Sequence, residues 1–329
     1  MASLVVPSLT VLDVGHGSCA ILAEAGRTVV FDAGPKSGLL EFLLQHGINT
    51  IDLVLISHAD RDHIEGLIGI LATNTIMIKM VRLNTDSLKD TDIWDDLAYE
   101  LDLLQKQGKT DFSPALTEGD SGRFDSADVA LQIVGPSAYL ATKGPSGKDY
   151  YSRRITTNSI SAVIRILYKG APIALLTGDM DLICLDEIVR GGKPIDAPIL
   201  VFPHHGGTSG MDMTAFSERL YALVKPEQVL FSIGRGRYGT PIPEVIATAR
   251  KLIANVKISC TELSERCSSS IPTQDHTHIS AVFANGRDDR HCCAGSITIT
   301  LSAVTDMFPI WKDYQDFITT HAPNALCRR

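Results

Sequence analysis

Short apolar runs alternate with glycine, aspartate and helical patterns along the whole chain. Near the N-terminus SLTVLDVG, CAILAEAG and RTVVFDAG follow one another, each strand-sized and each closed by glycine, the pattern of strands joined by tight turns. A helical pattern follows over 39–45, with Gly47 placed to end it. IDLVLIS (51–57) is almost uninterruptedly apolar and predicts a buried strand, from which HADRDHIEGLIGILA leads through a loop into a helix. Ile93, Leu97, Leu101 and Leu104 recur at helical spacing and predict a helix over 91–107. Residues 108–125 are polar and turn-rich and read as inserted chain, the insertion as a whole being placed at about 85–125.

Strand patterns resume with VALQIVG, SISAVIRILY and PIALLTGD, then a helix near 181–190 and the strand APILVFP. The loop HHGGTSG, a helix near 212–222, the strand QVLFSIG, the loop RGRYGTPIP and a helix over about 243–254 complete this part. The tail offers a strand at VKISC, an irregular Cys/His-rich stretch, a strand at GSITITL and a short final helix. No repeat period and no low-complexity tract interrupts the order. Strands that feed loops and helices in both halves predict a layered α/β protein.

Composition narrows this picture in three ways. At 329 residues, 44% hydrophobic and 21% charged, the chain has ample material for a core. Its net charge of −8 argues against a broad DNA-coating surface, though not against an enzyme whose metals neutralise the phosphate being cut. No signal-peptide pattern opens the chain, and no run approaches the roughly 20 apolar residues that span a bilayer. A soluble, cytoplasmic protein with no membrane association is therefore expected, and seven cysteines, an odd number, fit a reducing compartment.

The densest chemistry is Ser57-His58-Ala59-Asp60-Arg61-Asp62-His63, directly after the apolar strand. Imidazole nitrogen with carboxylate oxygen suits a borderline divalent metal. His58 and Asp60, two apart, can face one ion while Asp62 and His63 turn toward another. The competing reading is a solvated charged loop with incidental histidines. Two further strand ends reduce its weight: Leu175-Leu176-Thr177-Gly178-Asp179, whose aspartate is placed to bridge two ions, and Phe202-Pro203-His204-His205-Gly206-Gly207. Asp13 and Asp32, also at strand ends, read as turn formers or as aspartates that orient histidine ligands. His16 and His46 read as ordinary loop and helix-end residues, Cys19 and Cys184 as core, and Arg61 as solvated or locally paired.

These motifs, with Asp13-Val14-Gly15-His16-Gly17-Ser18, Phe31-Asp32-Ala33-Gly34, Asn158/Ser161 and Arg237-Tyr238-Gly239-Thr240-Pro241, resemble the metallo-β-lactamase superfamily over about residues 9–250. Within it the likeness is to the ComEC-type competence nucleases. The resemblance implies a four-layer αββα sandwich with metals at one edge between the sheets. It divides the chain into a catalytic domain over 1–255 and a small Cys/His-rich extension over 256–329 packed on the same domain. It also implies a first metal on His58 and Asp60, a second on Asp62, His63 and His205, and Asp179 bridging them. Asn158 stands near the place of a third histidine on the first metal, a departure shared with that branch, so zinc and manganese are both candidate ions. Thr240 stands where such proteins usually carry a histidine, which leaves protonation of the leaving group unassigned.

Two metals lower the pKa of water toward about 7 and clamp the oxygens of a scissile phosphate. The catalytic residues expected on this scheme are Asp62, Asp179 and His204. Asn158, Ser161, Gly206, Gly207, Thr208, Ser209, Arg235, Arg237 and Tyr238 are the expected substrate contacts, although the arginines read equally well as a surface loop. Cys260, Cys267, Cys292 and Cys293 lie near His276, His278 and His291, but C-x6-C followed by H-C-C is no standard zinc pattern. A structural zinc there stands beside the alternative of free, partly buried thiols. The leading expectation is a metal-dependent phosphodiesterase, most simply a nuclease for DNA or RNA. The alternatives are a hydrolase of a small substrate, such as a phosphorylcholine ester, cyclic nucleotide or lactone, and a partner-dependent subunit of a defence or DNA-processing system.

Overall fold

In the computed structural model, residues 6–73, 75–86, 88–208, 212–273, 277–279, 283–303 and 311–328 are described. Three strands open the chain, β1 (Ser8–Val11), β2 (Ala20–Glu24) and β3 (Arg27–Phe31), paired antiparallel in sequence order. Helix α1 (Gly38–Gln45) leads to β4 (Thr50–Ile51) and β5 (Leu53–Ile56), and β5 lies parallel to β3. Helix α2 (Arg61–Thr73) starts directly behind β5 and is followed by β6 (Met77–Ile78), β7 (Met80–Leu83), α3 (Asp92–Lys106) and β8 (Asp111–Ser113).

The second half runs β9 (Val129–Gly135), α4 (Ala138–Lys143), β10 (Val163–Tyr168), β11 (Ala171–Leu176), α5 (Leu182–Arg190) and β12 (Ile199–Val201). Then come α6 (Met213–Val224), β13 (Gln228–Phe231), α7 (Pro243–Leu252), β14 (Lys257–Cys260), β15 (Ile297–Thr300) and α8 (Trp311–His321). One large sheet has the order β15-β1-β2-β3-β5-β7-β8 and a second β14-β13-β12-β11-β10-β9, while β4 and β6 form a separate parallel pair.

Side-chain alternation builds the layers. Leu9, Val11, Leu22, Val29, Phe31, Leu53 and Leu55 point inward to a core shared with β9–β13, while their neighbours Ile21, Val30, Val54 and Ile56 point outward. The outward set meets Leu39 and Leu43 of α1, Ile64 and Leu67 of α2, and Trp94, Leu97 and Leu101 of α3. On the far side, Leu185, Leu220 and Val245 of α5, α6 and α7 cover the second sheet, whose β11 is apolar on both faces. The result is the αββα sandwich.

Two stretches that the sequence sets apart contribute elements to the sandwich. The stretch placed at 85–125 as an insertion carries α3, whose apolar stripe belongs to a core cluster, and β8, which pairs with β7. The chain beyond 255, expected as an extension, supplies β14 to the second sheet and β15 to the first. Asp13 ties it down further: its backbone N–H donates to Ser296 Oγ, and its Oδ2 accepts from the Gly286 N–H. Among the described residues, no helix is long and apolar enough to cross a membrane.

Candidate metal centre

The C-terminal ends of parallel strands converge at one edge of the sandwich. Asp32 follows β3, Ser57 to His63 follow β5, Gly178-Asp179 follow β11 and His204-His205 follow β12. A side chain placed just past such a strand points out of the sheet edge, where ligand sites of α/β proteins collect.

His58, His63 and Asp179 form one group whose ligand atoms lie within 4.8 Å of one another, and His16, Asp62 and His205 form another. The groups face each other: His63 Nε2 is 3.4 Å from Asp179 Oδ1 and 4.0 Å from Asp62 Oδ2, and His205 Nε2 is 3.3 Å from Asp62 Oδ2 and 3.8 Å from Asp179 Oδ1. Each of three imidazoles is fixed through its other nitrogen. His63 Nδ1 lies 2.8 Å from Asp32 Oδ2, His58 Nδ1 lies 3.0 Å from Ser57 Oγ, and His205 Nδ1 lies 2.7 Å from the Ser232 carbonyl. This outer hydrogen bonding sets ring orientation and aims all three Nε2 atoms inward. His204 and His205 both adopt left-handed backbone, φ +53° and +55°, a strain of order 1–3 kcal/mol each that places two adjacent rings over the strand edge.

Whether this donor set suits divalent ions is decided by its unpaired atoms. Nε2 of His58, His63 and His205 and Oδ1 of Asp179 are buried without a hydrogen-bond partner. Leaving such atoms unpaired costs about 1–3 kcal/mol each, and divalent cations shared among the two groups would satisfy all four. Without an ion the charge of this floor is balanced by protons, which a bound ion would displace from the histidines. Burial pushes the Asp179 pKa up, but His63 and His205 outweigh it and hold it well below the usual carboxylate range. Burial pulls His63 down, yet Asp32 and Asp179 hold it well above its ordinary value.

The other predicted residues divide. Asp60 Oδ2 is 3.5 Å from His58 Nε2, but its Oδ1 is engaged by Lys89 Nζ, so this carboxylate is shared between the centre and a cation that the sequence does not announce. His204 Nδ1 is 3.3 Å from Asp179 Oδ2. Asn158 borders the cleft above the centre with its Oδ1 buried and unpaired. Gly207, Thr208, Arg237 and Tyr238 also line that cleft, an open space of about 1000 Å³, and Ser209 lies outside the described residues. Gly206 is buried beneath it. Arg61 points to solvent and pairs with Glu65, as expected.

Three expectations are corrected. Ser161 is fully buried, and its Oγ accepts from the Asp179 N–H, so it positions the aspartate rather than meeting substrate. Arg235 borders the cleft, but its guanidinium is committed to the carbonyls of Leu263 and Ser268. The zinc set Cys260, Cys267, Cys292 and Cys293 does not converge. Neighbours in extended chain point to opposite sides, so Cys292 faces Asp13 while Cys293 turns to the core beside Cys260, Cys267 and Cys327. Among the described residues no cysteine joins a metal-holding group. His278 Nε2 lies 2.6 Å from the Cys293 carbonyl, and His276 falls outside the described residues.

The sequence model of the Metallo-beta-lactamase superfamily matches residues 12–200. The chain belongs to that superfamily. It is accordingly a superfamily hydrolase whose fold implies use of divalent metal. It is 23% identical over 234 residues to the competence protein ComA of Neisseria gonorrhoeae, covering 69% of this chain and 27% of that relative, so it spans about a quarter of the relative's length. Among solved structures, a metallo hydrolase, Igni18, of Ignicoccus hospitalis matches 78% of this chain and 97% of its own at 16% identity and a TM-score of 0.46. The metallo-beta-lactamase fold protein YhfI of Bacillus subtilis matches 77% and 96% at 11% identity and a TM-score of 0.48. Human tRNase Z, short form, matches 70% and 93% at 16% identity and a TM-score of 0.44.

Residues outside the implied ligand set also enter the site, among them His16, which the sequence reads as an ordinary loop residue. His16 is pushed down to about 4 by burial and by His205, so its ring is neutral at neutral pH. Glu262 lines the same cleft and is pushed up to about 7 by burial and by Asp13. Neither Lys89 nor Glu262 has a local pattern that marks it, since tertiary packing alone brings each to the cleft. His16 does have one, the Gly-His-Gly step after an apolar strand.

Proposed function

We propose that this protein is a metal-dependent phosphodiesterase that cleaves polynucleotide, with DNA and RNA both candidate substrates. The observation that carries the reading is the form of the site: a buried His/Asp floor opens into a cleft of about 1000 Å³ rather than an enclosed pocket. Small-substrate sites bury most of their ligand. Here Tyr238 is 73% exposed on the cleft wall, and Lys36 and Arg237 are exposed beside it, placed to meet a chain that extends past the reacting phosphate. The likeness to a competence protein supports the same reading.

In this mechanism His58, His63, His205, Asp62 and Asp179 hold the ions, with Asp60 offering one further oxygen. Zinc and manganese both suit imidazole with carboxylate. When bound, the ions supply nucleophilic water at neutral pH and neutralise charge on the phosphate. Asp32 and Ser57 keep the ligand rings oriented. Arg237 and Lys36 contact phosphates on either side of the scissile one. His204, its Nδ1 turned to Asp179, stands beside the ligands as the side chain nearest to assist the leaving oxygen.

The test uses chelated protein with Mn²⁺ or Zn²⁺ restored, on single- and double-stranded DNA, RNA and bis(p-nitrophenyl) phosphate. The expected outcome is metal-dependent polynucleotide cleavage that Asp179→Ala and His63→Ala each reduce by at least 100-fold. Turnover of the small diester alone would move the assignment to a small-substrate phosphodiesterase. Metal binding without turnover of any substrate would favour a subunit that works with a protein partner.

A further inference from the structure

We propose that His16 is a metal ligand, completing with Asp62 and His205 a three-residue site for one ion and leaving His58, His63 and Asp179 to hold the other. This rests on the metal centre and not on the choice of substrate. The ligand set implied by the superfamily motifs does not include His16. The observation behind it is spatial: the ligand atoms of His16, Asp62 and His205 lie within 4.8 Å of one another. Asp62 Oδ2 stands between the two rings, 3.6 Å from His16 Nε2 and 3.3 Å from His205 Nε2. The His16 separation is too long for a hydrogen bond. Both are close to the edge, about 3.4 Å, of a tetrahedron of bonds near 2.1 Å around one ion. The Nδ1 of His16, on the side of the ring away from Asp62, is buried without a hydrogen-bond partner, so packing rather than a second hydrogen bond holds this ring.

The backbone is built to bring this ring in. His16 lies between Gly15 (φ +77°) and Gly17 (φ +153°), backbone that side chains with a Cβ rarely adopt. Gly234, from the loop after β13, packs flat against it: a Cβ there would sit 2.3 Å from the His16 N. Tyr238 closes the other side, its ring centroid 4.6 Å from that of His16. A loop histidine with no duty would not need glycine on both sides and a third across the gap. The arrangement also offsets a local shortage, because Lys89 occupies part of Asp60 beside His58. With His16 serving the outer ion, His63 can turn to the inner one, and its Nε2 does lie nearer Asp179 (3.4 Å) than Asp62 (4.0 Å).

The experiment titrates the metal-free full chain with Co²⁺ and Zn²⁺, following calorimetry and the Co²⁺ visible spectrum, for wild type, His16→Ala, His16→Gln and Gly234→Ala. Melting of the metal-free proteins serves as the folding control. Wild type is expected to take two equivalents. His16→Ala is expected to keep one at wild-type affinity, bind the other 10–100-fold more weakly and lose part of the Co²⁺ absorption. His16→Gln, which keeps the size and a polar head, is expected to melt as wild type does and still lose affinity at that one site. Gly234→Ala should reproduce the loss with His16 present. A wild-type stoichiometry of one overturns the proposal, as does a His16→Gln protein that binds both ions with unchanged affinity and spectrum.

Discussion

Asp32 concentrates the local physics of the centre in one carboxylate. Its backbone is left-handed, its Oδ1 accepts from the Ser57 N–H at 2.6 Å, and its Oδ2 receives both Ser57 Oγ and His63 Nδ1. Asparagine tolerates the same backbone and keeps one carbonyl acceptor, so Asp32→Asn removes the charge behind His63 while sparing the turn. Metal affinity is expected to fall 10–100-fold with the fold intact, measured by competition against a chromophoric chelator; unchanged affinity would reduce Asp32 to a turn former. Glu262 carries a second residue-scale consequence. Its folded pKa is raised above the unfolded carboxyl value, so the folded state holds the proton more tightly. The associated stability is fully present below about pH 4.5 and is lost as pH rises through about 7. Glu262→Gln should abolish this term, so denaturant unfolding at pH 8 should find the variant more stable relative to wild type than at pH 4.5, by roughly 1–3 kcal/mol. An identical difference at both pH values would show that Glu262 does not titrate in this window. At this scale legibility follows sequence distance: Ser57 to His63 lie within seven residues and can be read together, whereas Glu262 meets Asp13 and Arg235 through folding alone.

Elements were legible where period and punctuation agree. β1, β2 and β3 alternate between two cores and are separated by glycine turns, and α3 carries its apolar residues at helical spacing. What the pattern conceals is membership. A polar, turn-rich stretch signals a surface loop whether or not the helix before it is needed, so 85–125 reads as an insertion although Trp94, Leu97 and Leu101 fill one side of the outer core. Leu97 is fully buried, and Leu97→Ala is expected to cost about 2–5 kcal/mol in urea unfolding, a value no dispensable insertion would give. The same reasoning applies to β15, whose register against β1 sets Ile299 opposite Leu9 across a sequence gap that no local pattern bridges. Its alternation, Ile297 and Ile299 buried with Thr298 exposed, is an ordinary strand signal; its partner is what the sequence withholds.

At the scale of the whole molecule, charge and function pull against each other. The chain carries −8, while the proposed substrate is a polyanion. In the cleft, Asp60, Asp62 and Asp179 add negative charge until cations occupy the centre, and Arg61 is already paired with Glu65. Lys36 and Arg237 are the exposed cations left on the cleft wall among the described residues. Such a surface can grip about two phosphates beyond the one being cut. The logarithm of kcat/KM on single-stranded substrate should therefore fall against the logarithm of salt with a slope of magnitude about 1–2, since each neutralised phosphate contributes about 0.7. Arg237→Ala should lower that magnitude by about 0.7 and weaken binding evenly across sequences, because a phosphate contact reads no base. A slope near 6 in wild type would require a long basic track, which this cleft does not have, and would place polynucleotide binding on another face or on a partner. A slope of zero that Arg237→Ala leaves unchanged would instead mean that the ions alone hold the substrate, as they would hold a small diester.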